Sequence, residues 1–287
     1  MGELQVTRVS ERVAVFTYNG DSILDSFGAN CTAVIGQDAA ALIDPLIALS
    51  SARAVEAALA LETGIPVRYV LLSHHHTDHA LGAGLFARRG IPVLCHRGCR
   101  ERMADEHPAL VESRRQERDL ATLFADADPY VPQVFFESKL ELDLGGVTVV
   151  AIHPGHSHTP GDSFFYVPEE HTAIAGDLVS AGYHVNYEHA DPSRLAEGLT
   201  RFASLFPAVV VPGHGPVSDS SVVESQRAYH EEISRINGEG ARAGRPPRDV
   251  VEAIRRRYPG YLLDIVLPET VARLSSASRN GVPGPPR

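Results

Sequence analysis

The feature that most constrains this chain is a buried-strand pattern that leads directly into a cluster of histidines. The mostly apolar run at residues 67–72 is typical of a strand in the core of a sheet, and the residues after it are typical of a loop that opens a helix. Residues 74–79 follow the pattern His-x-His-x-Asp-His. On an extended loop residues i and i+2 project to the same side, so His74 and His76 can reach one metal ion, while Asp78 and His79 can reach a second. We therefore expect a fold that presents this end of the strand to a pocket holding two metal ions, with His75 pointing away.

Three more loops place metal-binding side chains after a predicted strand. Residues 153–162 contain His153, His156 and His158, of which we expect one or more to face the site. Asp177 comes directly after an apolar strand, where a carboxylate can serve as a cap or can bridge two metal ions. His214 lies in a loop between two glycines. Ligands at the same end of successive strands would converge on one edge of the sheets.

The order of predicted elements indicates an α/β (α+β) sandwich of four layers, with sheets inside and helices outside. The two strand-rich halves are separated by a segment with helical spacing, and more helices follow the last strand. Strands are predicted at 4–9, 12–16, 30–35, 39–43, 67–72, 92–95, 139–144, 146–152, 163–167, 172–175 and 208–211. Helices are predicted at 52–62, 79–89, within 96–133, from 191 to about 206, and at 218–237 and 248–258.

We expect one domain at 1–235 with a helical insertion near 96–133. A C-terminal helical extension at 236–280 is expected to pack on it, and the tail at 281–287 is expected to be disordered.

The four loop motifs together resemble the metallo-β-lactamase superfamily over roughly residues 5–220. They are the His74 cluster, His158-Thr159-Pro160-Gly161, Gly176-Asp177 and Gly213-His214-Gly215. The resemblance implies an αββα sandwich with a dinuclear metal site at one edge.

Carried over by position, the resemblance implies seven metal ligands. They are His74, His76 and His158 for the first ion, Asp78, His79 and His214 for the second, and Asp177 as the bridge. His156 is the alternative to His158, which we prefer because the Thr-Pro-Gly turn after it fixes the backbone. Asp44 matches a family position beside the ligands. The implied cofactors are two Zn²⁺ ions, with iron or manganese as alternatives.

The carboxylate at Asp177 resembles glyoxalase II, lactonases and thioesterases more than true β-lactamases, many of which have Cys or Ser there. The expected activity is hydrolysis of an ester, thioester or lactone by a hydroxide that bridges the metal ions, with Asp78 orienting it and accepting its proton. Ser73 and Cys95 lack a paired base and are not expected to act as nucleophiles. The alternatives are a β-lactamase-type amide hydrolase, an iron-dependent redox enzyme and a non-catalytic protein that binds a metabolite.

The substrate contacts are less constrained by the sequence. Four residues that follow Asp177 are candidates for the mouth of the site: Tyr183, His184, Asn186 and Tyr187. Three phenylalanines are candidates for an apolar wall that binds an acyl group: Phe124, Phe135 and Phe136.

Composition restricts the partners. The net charge of −10 with neutral histidines disfavours nucleic acid. No apolar run reaches membrane-spanning length, and the N-terminus lacks a basic region followed by an apolar stretch. Three cysteines form no disulfide framework. We expect a cytoplasmic enzyme with a small-molecule substrate, such as an acyl thioester, and without a membrane partner; a homodimer is left open.

Overall fold

Two β-sheets lie face to face at the centre of the molecule, as seen in a computed structural model that describes residues 2–279. Within these residues, the first sheet has seven strands that follow one another in chain order: β1 (Gln5–Arg8), β2 (Val13–Thr17), β3 (Cys31–Ile35), β4 (Ala40–Ile43), β5 (Val67–Leu71), β6 (Val93–His96) and β7 (Val134–Phe136). The second sheet has the order β12-β11-β10-β9-β8, formed by β8 (Lys139–Asp143), β9 (Thr148–Ile152), β10 (Phe164–Val167), β11 (Thr172–Ile174) and β12 (Val209–Val211).

Helices connect the strands and follow the second sheet. In the described part of the chain they are α1 (Leu49–Glu62), α2 (Thr77–Ala80), α3 (Ala83–Ala87), α4 (Arg97–Gln116), α5 (Ala121–Phe124), α6 (Leu195–Ala203), α7 (Ser221–Arg242), α8 (Pro247–Arg257) and α9 (Leu267–Arg279). None of these helices is both long enough and apolar enough to cross a membrane.

The four layers follow from alternation along the strands. In β4, Leu42 joins the core on the helix side of the first sheet, whereas Ile43 joins the core between the sheets. In β10, Phe165 faces the space between the sheets and Phe164 packs with Phe202 of α6 on the other side. The predicted αββα sandwich is confirmed.

Parallel pairing brings the ends of several strands to one edge of the sandwich. β4 and β5 run parallel in the first sheet, and β11 and β12 run parallel in the second. Their carboxyl ends lead to Asp44, His74, Asp177 and His214 respectively. The buried side chain of Asn30 joins the two sheets at this edge, because its amide donates hydrogen bonds to the carbonyls of residues 212 and 215, at 2.9 and 2.8 Å.

The structure differs from the local predictions at several points. The helix predicted at 79–89 is interrupted between α2 and α3, where a β-carbon at Gly82 would lie 2.0 Å from the Pro45 carbonyl oxygen. The helix predicted from residue 191 begins at Leu195, because the Asp191 carboxylate accepts hydrogen bonds from the Ser193 amide and hydroxyl. Strand β7 was not predicted.

The C-terminal helices build a further apolar core against the chain that follows Asp177. Val185 and Tyr187 pack there with Ile233 of α7, Ile254 of α8 and Leu267 of α9. The predicted tail at 281–287 lies outside the described residues. The domain boundary at residue 235 stays a prediction.

Candidate metal centre

The first group of candidate ligands combines the loop after β5 with the loops after β9 and β11. His158 Nε2 lies 3.1 Å from His76 Nδ1 and 3.5 Å from Asp177 Oδ2. His74 Nε2 lies 3.8 Å from the same Asp177 oxygen. One ligand atom from each of these four residues lies within 4.8 Å of the others. The four side chains therefore surround a common point.

The second group adjoins the first. His79 Nε2 and His214 Nε2 are 3.3 Å apart, and Asp78 Oδ2 lies 3.6 and 3.4 Å from them. Asp177 faces both groups, because its Oδ1 is 3.1 Å from His79 Nε2 while its Oδ2 faces the first group. The structure thus divides the seven predicted ligands into the two sets that the family resemblance implies, with Asp177 between them. Their roles as metal ligands stay predictions.

These side chains fit metal ions by distance and by chemistry. Four ligand atoms arranged tetrahedrally at 2.0–2.1 Å from zinc would be roughly 3.3 Å apart, close to the separations in both groups. His74 Nε2 is buried without a hydrogen-bond partner among the described residues. A buried polar atom is costly when unpaired, and a metal ion in the first group would satisfy it.

Neighbouring groups fix the orientation of the candidate ligands. Asp44 accepts a hydrogen bond from His79 Nδ1 at 3.0 Å, which leaves Nε2 facing the site. Asp44 also accepts from the Ser73 hydroxyl at 2.6 Å, and that oxygen lies 2.8 Å from His74 Nδ1. His214 Nδ1 donates to the Phe27 carbonyl at 3.0 Å. Each of these three imidazoles therefore turns Nε2 toward the centre.

The loop that carries His158 is held by Asp162. The Asp162 carboxylate accepts hydrogen bonds from the His158 amide at 2.6 Å and from the Thr159 amide and hydroxyl at 2.9 and 2.6 Å. His156 points elsewhere, since its Nε2 donates to the His189 carbonyl at 2.8 Å. The structure brings His158 rather than His156 into the first group.

The two groups differ in their electrostatics. Burial lowers the pKa of His74 and His76 well below the usual value and that of His158 to about 4, so these rings are neutral and can offer a lone pair. Burial also acts on His79, but the nearby carboxylates of Asp177 and Asp78 outweigh it and raise the pKa of His79. The second group is therefore the more negative environment.

Two of the predicted substrate contacts, Tyr187 and His184, do not lie at the mouth of the site. Tyr187 is fully buried in the C-terminal core, and its hydroxyl contacts His230. His184 is buried as well, with Nδ1 2.9 Å from the Tyr229 hydroxyl. The C-terminal helices and the segment before α9 cover this part of the chain, which the local sequence does not reveal.

The other two predicted contacts occupy different positions. The Tyr183 ring lies 5.5 Å from the His214 ring, but its hydroxyl donates to the Gly20 carbonyl at 3.1 Å, so it supports the site from below the surface. Asn186 is half-buried and its side-chain oxygen accepts from the Glu188 amide at 2.9 Å. This hydrogen bond stabilises a local turn of the chain.

The three phenylalanines do not form one wall. Phe124 is buried beneath α4, with Val111. Phe136 packs between the two sheets, whereas Phe135 is exposed beneath the Arg97 guanidinium, 4.4 Å from the ring centre. Successive residues of β7 point to opposite faces, which separates the last two.

His189 belongs to the site's surroundings although no sequence motif singled it out. Its Nδ1 lies 3.0 Å from His76 Nε2. A third group of nearby ligand atoms consists of His75, His76 and His189. The only signal in the sequence for a role of His189 near the site is the high count of 14 histidines.

Comparison with known proteins agrees with this geometry. Residues 24–214 match the family model of the Metallo-beta-lactamase superfamily. A hydroxyacylglutathione hydrolase from Anaeromyxobacter dehalogenans (strain 2CP-C) is 32% identical over 164 residues, 56% of this chain and 50% of that protein. The match therefore spans half the length of this relative.

Solved structures show the same fold. A metallo-beta-lactamase from Pontibacter korlensis has a TM-score of 0.65 at 22% identity, covering 78% of this chain and 97% of that one. A metallo beta lactamase from Erythrobacter litoralis has a TM-score of 0.62 at 20% identity, covering 81% and 98%. The family and the His and Asp groups imply that the protein binds metal ions. The chain belongs to the metallo-β-lactamase superfamily.

Proposed function

We propose that this protein is a hydrolase that cleaves the acyl thioester of a small thiol at a dinuclear metal centre. The observation that carries the proposal is the pair of adjoining ligand groups that share the Asp177 carboxylate. The choice of a thioester is supported by the hydroxyacylglutathione hydrolase relative, whose name denotes an acyl group on the sulfur of glutathione. Esters and lactones present the same electrophilic carbonyl and stay within the proposed range.

The residues of the chain divide the work of this reaction. Two divalent metal ions, when bound, would lower the pKa of water and polarise the carbonyl oxygen. Asp78 turns Oδ2 toward His79 and His214, and its carboxylate would orient the attacking water and accept its proton. All seven candidate ligands, Asp78 included, would hold the metal ions, for which we propose zinc, with iron and manganese as alternatives for the same donors.

The surroundings of the site support water as the nucleophile. The Ser73 hydroxyl is buried and is occupied by Asp44 Oδ2 and His74 Nδ1. Cys95 is fully buried in the core on the helix side of the first sheet. Neither side chain can reach a substrate in this arrangement, so a covalent acyl-enzyme at these positions is disfavoured.

The test is a hydrolysis panel with zinc-loaded protein. The panel contains an S-acylglutathione, an acyl-CoA, a lactone, a cephalosporin and a phosphodiester. We expect the highest kcat/KM on a thioester and its loss in His158→Asn. Turnover of the cephalosporin or the phosphodiester without turnover of either thioester or of the lactone would refute the proposal. Elemental analysis of the purified protein distinguishes zinc from iron.

A further inference from the structure

His76 faces the candidate metal centre through a different ring nitrogen from the other predicted histidine ligands. Its Nδ1 lies 3.1 Å from His158 Nε2, inside the first ligand group. His74, His79 and His214 instead turn Nε2 toward the centre. A neutral imidazole that binds a metal ion through Nδ1 carries its proton on Nε2. The orientation of His76 therefore favours a hydrogen-bond acceptor beside its Nε2.

The group beside His76 Nε2 is the ring of His189, which lies in the loop before α6. His76 Nε2 and His189 Nδ1 are 3.0 Å apart, a hydrogen-bond distance. Such a pair forms a hydrogen bond when one nitrogen carries a proton and the other offers a lone pair. With the proton on His76, His189 Nδ1 must be the acceptor. The neutral His189 ring then carries its own proton on Nε2.

This arrangement is sensitive to the state of His189. The second nitrogen of a metal-bound histidine usually donates to a carboxylate, a carbonyl oxygen or water, each of which can always accept. An imidazole accepts through Nδ1 only in one of its two neutral forms. In the other form, His189 Nδ1 would donate to His76 Nε2 and leave the proton of His76 on Nδ1, the atom that faces the centre. A further group is needed to favour the correct form of His189.

Glu106 of α4 is placed to favour it. Glu106 Oε1 lies 3.5 Å from His189 Nε2, and an ionised carboxylate accepts hydrogen bonds but donates none. Its negative charge therefore favours a proton on His189 Nε2 and leaves Nδ1 free to accept. The carboxylate is itself held in place, because Arg102 contacts Oε1 and His75 Nε2 lies 3.3 Å from Oε2.

We propose that His189 and Glu106 are positioning residues that keep the proton of His76 on Nε2, so that Nδ1 offers its lone pair to a metal ion. The chain of contacts runs from Glu106 through His189 to His76, and both rings carry their proton on Nε2. The inference rests on the dinuclear centre of the proposed function. It adds that the helical insertion, which carries Glu106, prepares one of the ligands of that centre.

The first test compares two substitutions of His189. Asn can place its side-chain oxygen where Nδ1 lies and so accept the proton of His76, whereas Leu cannot accept it. We expect the zinc affinity of His189→Leu to fall about 10-fold and that of His189→Asn to stay close to wild type. Competition with a chelator measures the affinity, and far-UV circular dichroism confirms that each variant is folded. Equal losses in both variants would overturn the proposal.

The second test asks whether Glu106 acts through His189. A Gln amide can donate as well as accept, so Glu106→Gln lets His189 adopt either neutral form and should weaken zinc binding. Asn has no such alternative forms, so adding Glu106→Gln to His189→Asn should change the zinc affinity little. The same loss in both backgrounds would show that Glu106 does not act through His189 and would contradict the proposal. The matched controls are Glu101→Gln on the same helix and His171→Asn, both at exposed positions, which should bind zinc like wild type.

The proton positions can also be observed directly. Heteronuclear NMR of zinc-loaded protein with isotopically labelled histidine shows which ring nitrogen carries the proton, and the signals lost in His189→Asn identify His189. We expect the proton of His189 on Nε2; a proton on Nδ1 would overturn the proposal. A wild-type protein without zinc affinity would overturn both this proposal and the dinuclear centre, whereas equal zinc affinity of wild type and His189→Leu would overturn this proposal alone. None of these measurements involves a substrate, so they stand apart from the proposed thioester activity.

Discussion

Asp44 is a residue on which the orientation of two candidate ligands depends. It binds His79 directly and His74 through the Ser73 hydroxyl. The Asp44→Asn substitution keeps the size of the side chain but removes its charge. Asn also tolerates the left-handed backbone conformation at this position, where φ is 57°. We expect metal affinity to fall about 10- to 100-fold, the usual effect of losing such a partner. Competition with a chelator measures it, and Asp105→Asn at an exposed position should change nothing.

His230 makes the stability of the protein depend on pH. Burial lowers its pKa to about 3, and its ring lies between the Tyr187 hydroxyl and the Gln226 amide. Below about pH 6.5 an unfolded chain protonates this histidine while the folded state does not. The stability due to the neutral ring is therefore complete above that pH and is lost as the pH falls toward 3, by up to about 1.4 kcal/mol per pH unit.

Urea unfolding of chelator-treated protein between pH 7 and pH 4 tests this dependence. His230→Gln should be less stable at pH 7 but should lose stability less steeply on acidification. Parallel curves for the two proteins would show that His230 does not titrate as expected.

For single residues, the sequence predicts which side chains are candidate ligands better than it predicts what surrounds each side chain. The positions in the histidine cluster, Asp177 and His214 could be predicted because metal ligation requires those residue types at those spacings. His189 and Tyr187 could not, because whether a lone histidine or tyrosine faces a site depends on which distant helices cover it. Asp162, which holds the His158 loop, was hidden among ordinary loop residues.

Among the secondary-structure elements, the start of α4 determines where the His158 loop can lie. Gly161 packs against the backbone there, and a β-carbon would lie 1.9 Å from the Cys99 amide nitrogen. Backbone atoms cannot move aside as a flexible side chain can. We expect Gly161→Ala to destabilise the protein by about 1–3 kcal/mol, as overpacking does, and to weaken metal binding by shifting His158.

Thermal unfolding and metal competition measure the two effects. Gly64→Ala is the matched control, because nothing lies within 4 Å of a β-carbon there. It should leave stability unchanged or raise it slightly. A Gly161→Ala protein as stable as wild type would contradict the close approach.

Strand ends were easier to predict than helix boundaries. Apolar runs such as 67–72 end where the chain leaves the core, and this end also places the ligands. Helix starts depend on competing contacts, as the Asp191 turn before α6 shows. Strand β7 could not be predicted from the sequence, because its three residues form a strand only by pairing with β6.

For the whole molecule, the question is whether the C-terminal helices fold with the sandwich or as a separate unit. Their core includes Val185 and Tyr187, which belong to the segment that runs from the metal centre toward α6. The Thr270 hydroxyl of α9 donates to the Val185 carbonyl at 2.9 Å, and Arg273 donates to the Ala190 carbonyl at 2.9 Å. Because these contacts lie on the chain that follows Asp177, we expect one cooperative unit.

Leu267→Ala tests this expectation. Leu267 is fully buried, so its truncation should lower the free energy of unfolding by about 2–5 kcal/mol, whereas Ile265→Ala, at a side chain that is 74% exposed, should lower it little.

The chain has no tryptophan, and four of its nine tyrosines lie in or against this core: Tyr187, Tyr229, Tyr258 and Tyr261. Near-UV circular dichroism therefore reports strongly on the C-terminal core, while far-UV reports on all helices and strands. In one cooperative unit the substitution moves both unfolding curves together, and metal-bound protein should shift both upward, since ions bind only the folded state. A near-UV transition that moves alone, with the far-UV transition and the effect of metal unchanged, would show that α7, α8 and α9 unfold independently of the metal centre.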